Sequence, residues 1–305
     1  MNLKVKIGKL QLNSPILCAS GTFGTSDELK GLVDYKNIGA VIAKTITLNS
    51  RAGNPPPRIY ETECGVLNSV GLEGPGADGF IKQYLPRLEK LGTKFVVSVG
   101  GFSPDEYKKT LAKVSAQKGV EAIEVNLSCP NIKNERIISQ DPKLTLKTMK
   151  ALRAITKKTL IAKITPEVTD IVSIAKAAKA AGADAVSLVN TFFGLAINTV
   201  TKRPFLGNIC GGYSGKAIKP LSLYRVWRVA KEVKIPIIGG GGIETASDAI
   251  EFILAGATAV SLGTVNLVEP NAAKSILEGI KKYMVKNKIK NISALSGGLI
   301  EKAME

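Results

Sequence analysis

The chain contains no histidine. Mechanisms that use an imidazole as acid or base are excluded, so proton transfer must fall to Cys, Lys, Asp, Glu or Tyr. Cysteine is scarce. Cys18, Cys64, Cys129 and Cys210 lie far apart with no C-x-x-C pair, so a zinc site or iron–sulfur cluster lacks its usual ligand spacing, and no metal is expected. No apolar run approaches the roughly 20 residues of a membrane-crossing helix. The N-terminal "MNLKVKIGKLQL" alternates with period two, which predicts paired strands rather than a signal peptide. These absences predict a cytoplasmic protein with no membrane association. No stretch rich in Pro, Gly or Ser reads as a linker, so residues 1–305 are expected to form a single domain.

Charge is abundant and one-sided. Lys plus Arg exceed Asp plus Glu by 17. The excess is scattered, apart from a lysine-rich "KKYMVKNKIK" near the C-terminus, and so reads as surface charge rather than a nucleic-acid footprint.

Short runs rich in Val, Ile and Ala recur eight times: "PILCAS" (15–20), "AVIAKT" (40–45), "FVVSVG" (95–100), "AIEVNL" (122–127), "LIAKIT" (160–165), "AVSLVN" (185–190), "PIIGGG" (236–241) and "AVSLGT" (259–264). Most gaps hold helical periodicity, as in "PDEYKKTLAKVSAQKG" and "TDIVSIAKAAKAAGA". Near-continuously apolar strands alternating with helices predict an α/β fold, a (β/α)8 TIM barrel preceded by a β-hairpin; an open doubly wound sheet is the alternative. Residues 46–76 and 191–220 exceed ordinary loop length. Both insertions leave the C-terminal ends of strands, the face where barrels carry their chemistry.

Polar residues fall at that same rim: Ser20, Lys44, Thr45, Asn126, Lys163, Asn190 and Thr191. "GGGGI" (239–243) and "GT" (263–264) end the last two strands, where barrels often bind phosphate through glycine N–H groups. A lysine inside an apolar strand is costly to bury unpaired. Lys44 and Lys163 therefore suggest an anionic ligand, with a lysine that snorkels to the rim or pairs with a carboxylate as the plainer reading. Cys18 and Cys210 fit the usual role of a small buried hydrophobe. Cys129, between two asparagines in "VNLSCPN", fits it poorly.

"ASGTFG" (19–24), "RAGNPPPR" (51–58), "LNSVGL" (67–72), "NLSCPN" (126–131), "SGKAIKP" (214–220), "GGGGI" and "SLGT" occur in the order seen in dihydroorotate dehydrogenases, and nearly the whole chain resembles that family. The cysteine in "SCPN" is similar to class 1 enzymes. "GNPPPR", "AIKP" and "EFILAGATAV" resemble the 1B subclass. The resemblance implies bound FMN, oxidation of dihydroorotate to orotate in pyrimidine synthesis, and a separate electron-transfer subunit carrying FAD and a [2Fe–2S] cluster. A homodimer of the catalytic chain within a heterotetramer is the implied assembly.

Carried over by motif, Cys129 is the implied base, with Lys44 and Lys163 also catalytic. A thiolate suits this role where histidine is absent and cationic charge is near. The implied FMN contacts are Ser20, Lys44, Thr45, Ser98, Asn126, Lys163, Val189, Gly215, Gly241, Gly242, Gly263 and Thr264. The implied substrate contacts are Lys44, Asn68, Ser69, Val70, Gly71, Leu72, Asn126, Asn131, Asn190 and Thr191. Neutral amides suit a pyrimidine edge of alternating donors and acceptors.

The chain departs from the family pattern at Gly74, Ser98 and Lys216, and in the glycine-poor "NIKNERIISQDP" after Cys129. Two rival readings are a tRNA dihydrouridine synthase-like flavoenzyme, which normally continues into a helical RNA-binding domain, and a non-enzymatic flavin-binding protein.

Overall fold

The computed structural model describes residues 1–25, 27–128 and 137–301. The chain opens with an antiparallel hairpin, β1 (Val5–Ile7) and β2 (Leu10–Leu12). Its turn holds Gly8 at φ +57°, where a Cβ would stand 2.8 Å from the Asp184 side chain, so glycine alone fits there. Ile7, Leu10 and Leu12 are buried, and the Lys9 N–H donates to Thr159 Oγ1 at 3.0 Å. The hairpin thus packs against the N-terminal end of the strands that follow.

Those strands are β3 (Ile16–Cys18) and β4 (Ala40–Ile46), then β5 (Ile59–Thr62) and β6 (Gly65–Asn68) in the first insertion. β7 (Lys94–Val99), β8 (Ala122–Asn126), β9 (Thr159–Lys163) and β10 (Ala185–Leu188) come next. The second insertion contributes β11 (Phe192–Leu195), β12 (Ile197–Asn198), β13 (Arg203–Pro204) and β14 (Cys210–Ser214), before β15 (Ile237–Gly240) and β16 (Ala259–Leu262).

β3, β4, β7, β8, β9, β10, β15 and β16 pair in parallel and close into a barrel in that cyclic order, which excludes the open sheet. All eight fall within the apolar runs to within one residue. The barrel strands are buried on both faces, by packed interior side chains on one and by helices on the other, which is why the pattern reads as continuous rather than alternating. Helices Pro104–Ser115, Pro142–Arg153, Ile171–Ala180, Lys219–Glu232, Ala246–Leu254 and Ala272–Lys286 form much of the outer ring. Several begin at side-chain caps. Ser103 accepts from the Glu106 N–H, and Thr245 and Asp248 form a reciprocal capping box.

The two insertions are more than loops. Strands from both join in one antiparallel sheet, ordered β11-β14-β6-β5, with Gly212 opposite Asn68 and Phe192 opposite Tyr213. This sheet stands over the C-terminal mouth of the barrel. Its members lie far apart in sequence, so no local periodicity announces their pairing. Among the described residues, no helix is long and apolar enough to cross a membrane.

Candidate active site

A cavity of about 610 Å³ opens at the C-terminal ends of the barrel strands beneath the insertion sheet. That volume lies within the range of small-molecule and cofactor sites. Ser20, Lys44, Thr45, Asn126, Lys163, Val189, Asn190 and Thr191 line it from the barrel. Gly215, Gly241, Gly242, Gly263 and Thr264 line it along the β14, β15 and β16 ends, and Asn68, Val70, Gly71 and Leu72 from the first insertion. Two expected contact residues are set back from the wall. Ser69 is buried with its Oγ accepting from Asn54 Nδ2 at 2.9 Å, and Ser98 is buried one level beneath the cavity. Cys129 and Asn131 lie outside the described residues.

Lys44 and Thr45 are adjacent in sequence, so a regular strand turns them to opposite faces. Both reach the cavity because β4 is bulged there: Ala43 pairs with Val97 and Ile46 with Val99, leaving one extra residue on β4. Burial of the Lys44 ammonium lowers its pKa; Glu73 opposes that shift and Arg58 adds to it.

The cavity floor is a connected polar network. Thr45 Oγ1 lies 3.4 Å from Ser20 Oγ, 3.0 Å from Ser98 Oγ, and accepts from Asn126 Nδ2 at 3.3 Å. Asn126 Oδ1 in turn accepts from Asn190 Nδ2 at 3.4 Å, and the Asn126 carbonyl from the Tyr107 hydroxyl at 2.6 Å. Hydrogen bonds within the chain orient the Asn126 and Asn190 amides, which lowers the cost of ordering them on binding.

Below this layer sits a carboxylate that the sequence reading passed over. Glu124 on β8 is fully buried, accepts from Ser98 Oγ at 3.0 Å, and lies 3.8 Å from Lys163 Nζ. Two anionic neighbours are open to Lys163 from the sequence, a ligand and a carboxylate within the chain, and the structure supplies the second: the ammonium has a buried carboxylate partner while still lining the cavity. The signal was legible in "AIEVNL", where an acidic residue interrupts an otherwise apolar strand.

Gly263 leaves open space where a Cβ would stand, with nothing within 4 Å. Its missing side chain therefore serves no internal packing and lets a ligand approach the backbone closely. Gly241 and Gly242, at φ +115° and +81°, hold conformations that side chains rarely adopt. Gly74 pairs its backbone with Arg51 and has open space beside it, so the departure there leaves the loop's pairing intact. Arg51, whose guanidinium lies 4.1 Å from the Phe102 ring centroid, also lines the cavity and was missed as a site residue.

The two buried-cysteine readings divide. Cys18 is buried in β3, and burial pushes its thiol pKa far up. Cys210, expected to be buried as well, is exposed at the start of β14 and lines the cavity. Its strand belongs to the mouth sheet rather than the core, so its neighbours cannot cover it.

The dihydroorotate dehydrogenase family model matches residues 2–284. The "dihydroorotate dehydrogenase B (NAD(+)), catalytic subunit" of Trichlorobacter lovleyi is 48% identical over 97% of this chain and 98% of its own length. The protein of the same name from Thermoanaerobacter pseudethanolicus is 46% identical over 98% of this chain and 99% of its own length. Among solved structures, DHODH of Eimeria tenella in complex with ferulenol superposes with a TM-score of 0.81 at 25% identity, covering 97% of this chain and 88% of that one.

Proposed function

Because the chain belongs to the dihydroorotate dehydrogenase family, we propose that it oxidises dihydroorotate to orotate in pyrimidine biosynthesis, using FMN in the cavity described above. The observation that carries this reading is the convergence, in one cavity, of preorganised amides, two lysines and an open glycine backbone. FMN fits the residues present: Gly241, Gly242, Gly263 and Thr264 offer backbone to a phosphate, and Lys163 offers positive charge to an electron-rich ring. When bound, FMN supplies a two-electron acceptor for a hydride.

The chain's own residues do the rest. Asn68, Asn126, Asn190 and Thr191 orient the pyrimidine ring through its amide edge and carboxylate. Lys44 pairs with the anionic substrate, and Arg51 adds cationic charge to the wall. Cys129, as thiolate, takes the proton from one ring carbon while a hydride leaves the adjacent carbon, so that a C=C bond forms and two electrons pass to the acceptor. The family match over residues 2–284 leaves the dihydrouridine synthase alternative without support.

The relatives are named catalytic subunits, a term that presupposes another subunit. The proposed partner carries FAD and a [2Fe–2S] cluster and passes electrons to NAD⁺, in a heterotetramer containing two copies of this chain. Exposed Phe193, Leu195 and Ile197 beside the cavity mouth support a protein partner. Adding dihydroorotate anaerobically to the purified, flavin-loaded chain is expected to bleach the yellow flavin bands, and failure to bleach overturns the reading. With NAD⁺ as sole acceptor the isolated chain should not turn over; rapid NADH formation without a second subunit rejects the 1B assignment.

Lys44 adds a pH dependence. Its lowered pKa means that raising the pH removes the ammonium below the ordinary lysine value of about 10.4. Orotate affinity should therefore weaken from neutral to alkaline pH, and Lys44→Met should bind orotate weakly with that alkaline limb gone. Orotate titrations followed by the flavin spectrum check this; an identical alkaline limb in the variant removes Lys44 from the interaction.

A further inference from the structure

The geometry points to Glu124 as a positioning residue that sets the flavin's reduction potential through Lys163; the inference rests on the flavin reading of the cavity. Glu124 is fully buried and is not among the residues that line the cavity. β8 and β9 run in register with Asn126 opposite Lys163 and Glu124 opposite Ile161. Asn126 and Glu124 point to the same side of β8, so the carboxylate sits one level below the layer that meets a ligand. From there it lies diagonally beneath Lys163, with Oε1 3.8 Å from Nζ.

The two Glu124 oxygens are in unequal surroundings. Oε1 accepts from Ser98 Oγ at 3.0 Å, whereas Oε2 is buried with no hydrogen-bond partner among the described residues. An unsatisfied oxygen on a buried carboxylate is expensive unless a nearby cation compensates it. Lys163 is that cation, and its placement answers two demands. It neutralises Glu124 from above while presenting its ammonium to the cavity.

Electrostatics then gives a sign. A reduced flavin carries more negative charge than an oxidised one, so Lys163 favours reduction and Glu124, close behind it, opposes it. The pair is close to neutral as a unit. Glu124 thus restrains the pull of Lys163 and holds the flavin at a lower potential than the lysine alone would give. Ser98 holds the carboxylate in place through its donated hydrogen bond, which gives a positioning role to a residue expected to touch the cofactor directly.

The test is spectroelectrochemistry of the flavin-loaded chain in four forms: unmodified, Glu124→Gln, Lys163→Met and the double variant. Glu124→Gln should favour the reduced flavin by at least tenfold, about 30 mV upward for a two-electron couple. Lys163→Met should move it down, and the double variant should return near the unmodified value. If Glu124→Gln does not fold, Glu124→Asp keeps the charge but withdraws it by one methylene, and a smaller upward shift is expected. A potential unmoved in the folded Glu124 variant, with only thermal stability lost, overturns the inference. Bleaching by dihydroorotate is scored separately on the unmodified chain. Bleaching without a Glu124 effect sinks this inference alone; absence of bleaching sinks the functional reading beneath it.

Discussion

Replacing Cys129 with alanine is expected to slow flavin reduction by dihydroorotate by about 10² to 10⁴, the range for losing a general base. Flavin binding and orotate affinity should stay nearly intact. The reason is a division of labour: Asn68, Asn126, Asn190 and Thr191 line the cavity and are the residues proposed to hold the ring, and none of them is a plausible base. On that proposal, deleting the thiol removes the proton acceptor and leaves the side chains proposed to position the substrate unchanged in sequence. Asn126 ends a barrel strand at the cavity, and Cys129 follows it by three residues. With histidine absent from the chain, no imidazole can take over the proton. Anaerobic single-turnover mixing of the flavin-loaded variant with dihydroorotate measures the step directly. A rate close to that of the unmodified chain shows that the proton goes elsewhere.

Lys163→Met is expected to lower the flavin's reduction potential, because the reduced anion loses a stabilising partner worth on the order of 1–3 kcal/mol. Each kcal/mol corresponds to roughly 20 mV for a two-electron couple. The same substitution should also destabilise the fold, which sequence reasoning alone does not anticipate, since methionine matches the lysine stem in length. Glu124 makes the difference. Removing one partner of a buried ion pair costs about 3–5 kcal/mol. The 3.8 Å separation and the access of Lys163 to the cavity place this pair at or below the lower end. Thermal unfolding should show a drop for Lys163→Met that is partly recovered when Glu124→Gln is added, because the second change removes the stranded charge. An unchanged or higher potential in the single variant would reduce Lys163 to a structural role.

The closed barrel was legible in the chain because each strand is short and buried on both faces, so composition and spacing mark it locally. The rim was legible for the same reason: Ser20, Asn126, Lys163 and Asn190 sit at or just past the end of an apolar run, and the barrel's geometry gathers every such end at one face. Three things were decided only by tertiary structure. The bulge in β4 turns Lys44 and Thr45 to the same cavity, although their alternation in sequence places them on opposite faces. The mouth sheet joins β6 to β14 across more than a hundred residues and carries Cys210 out of the core. The Glu124–Lys163 pair depends on the register of neighbouring strands, which brings together two side chains on separate elements. Local pattern reports which face of its own strand a residue occupies. Which residue of another strand lies beside it is set by how the closed barrel aligns its strands, and that alignment exists only once the sheet has closed.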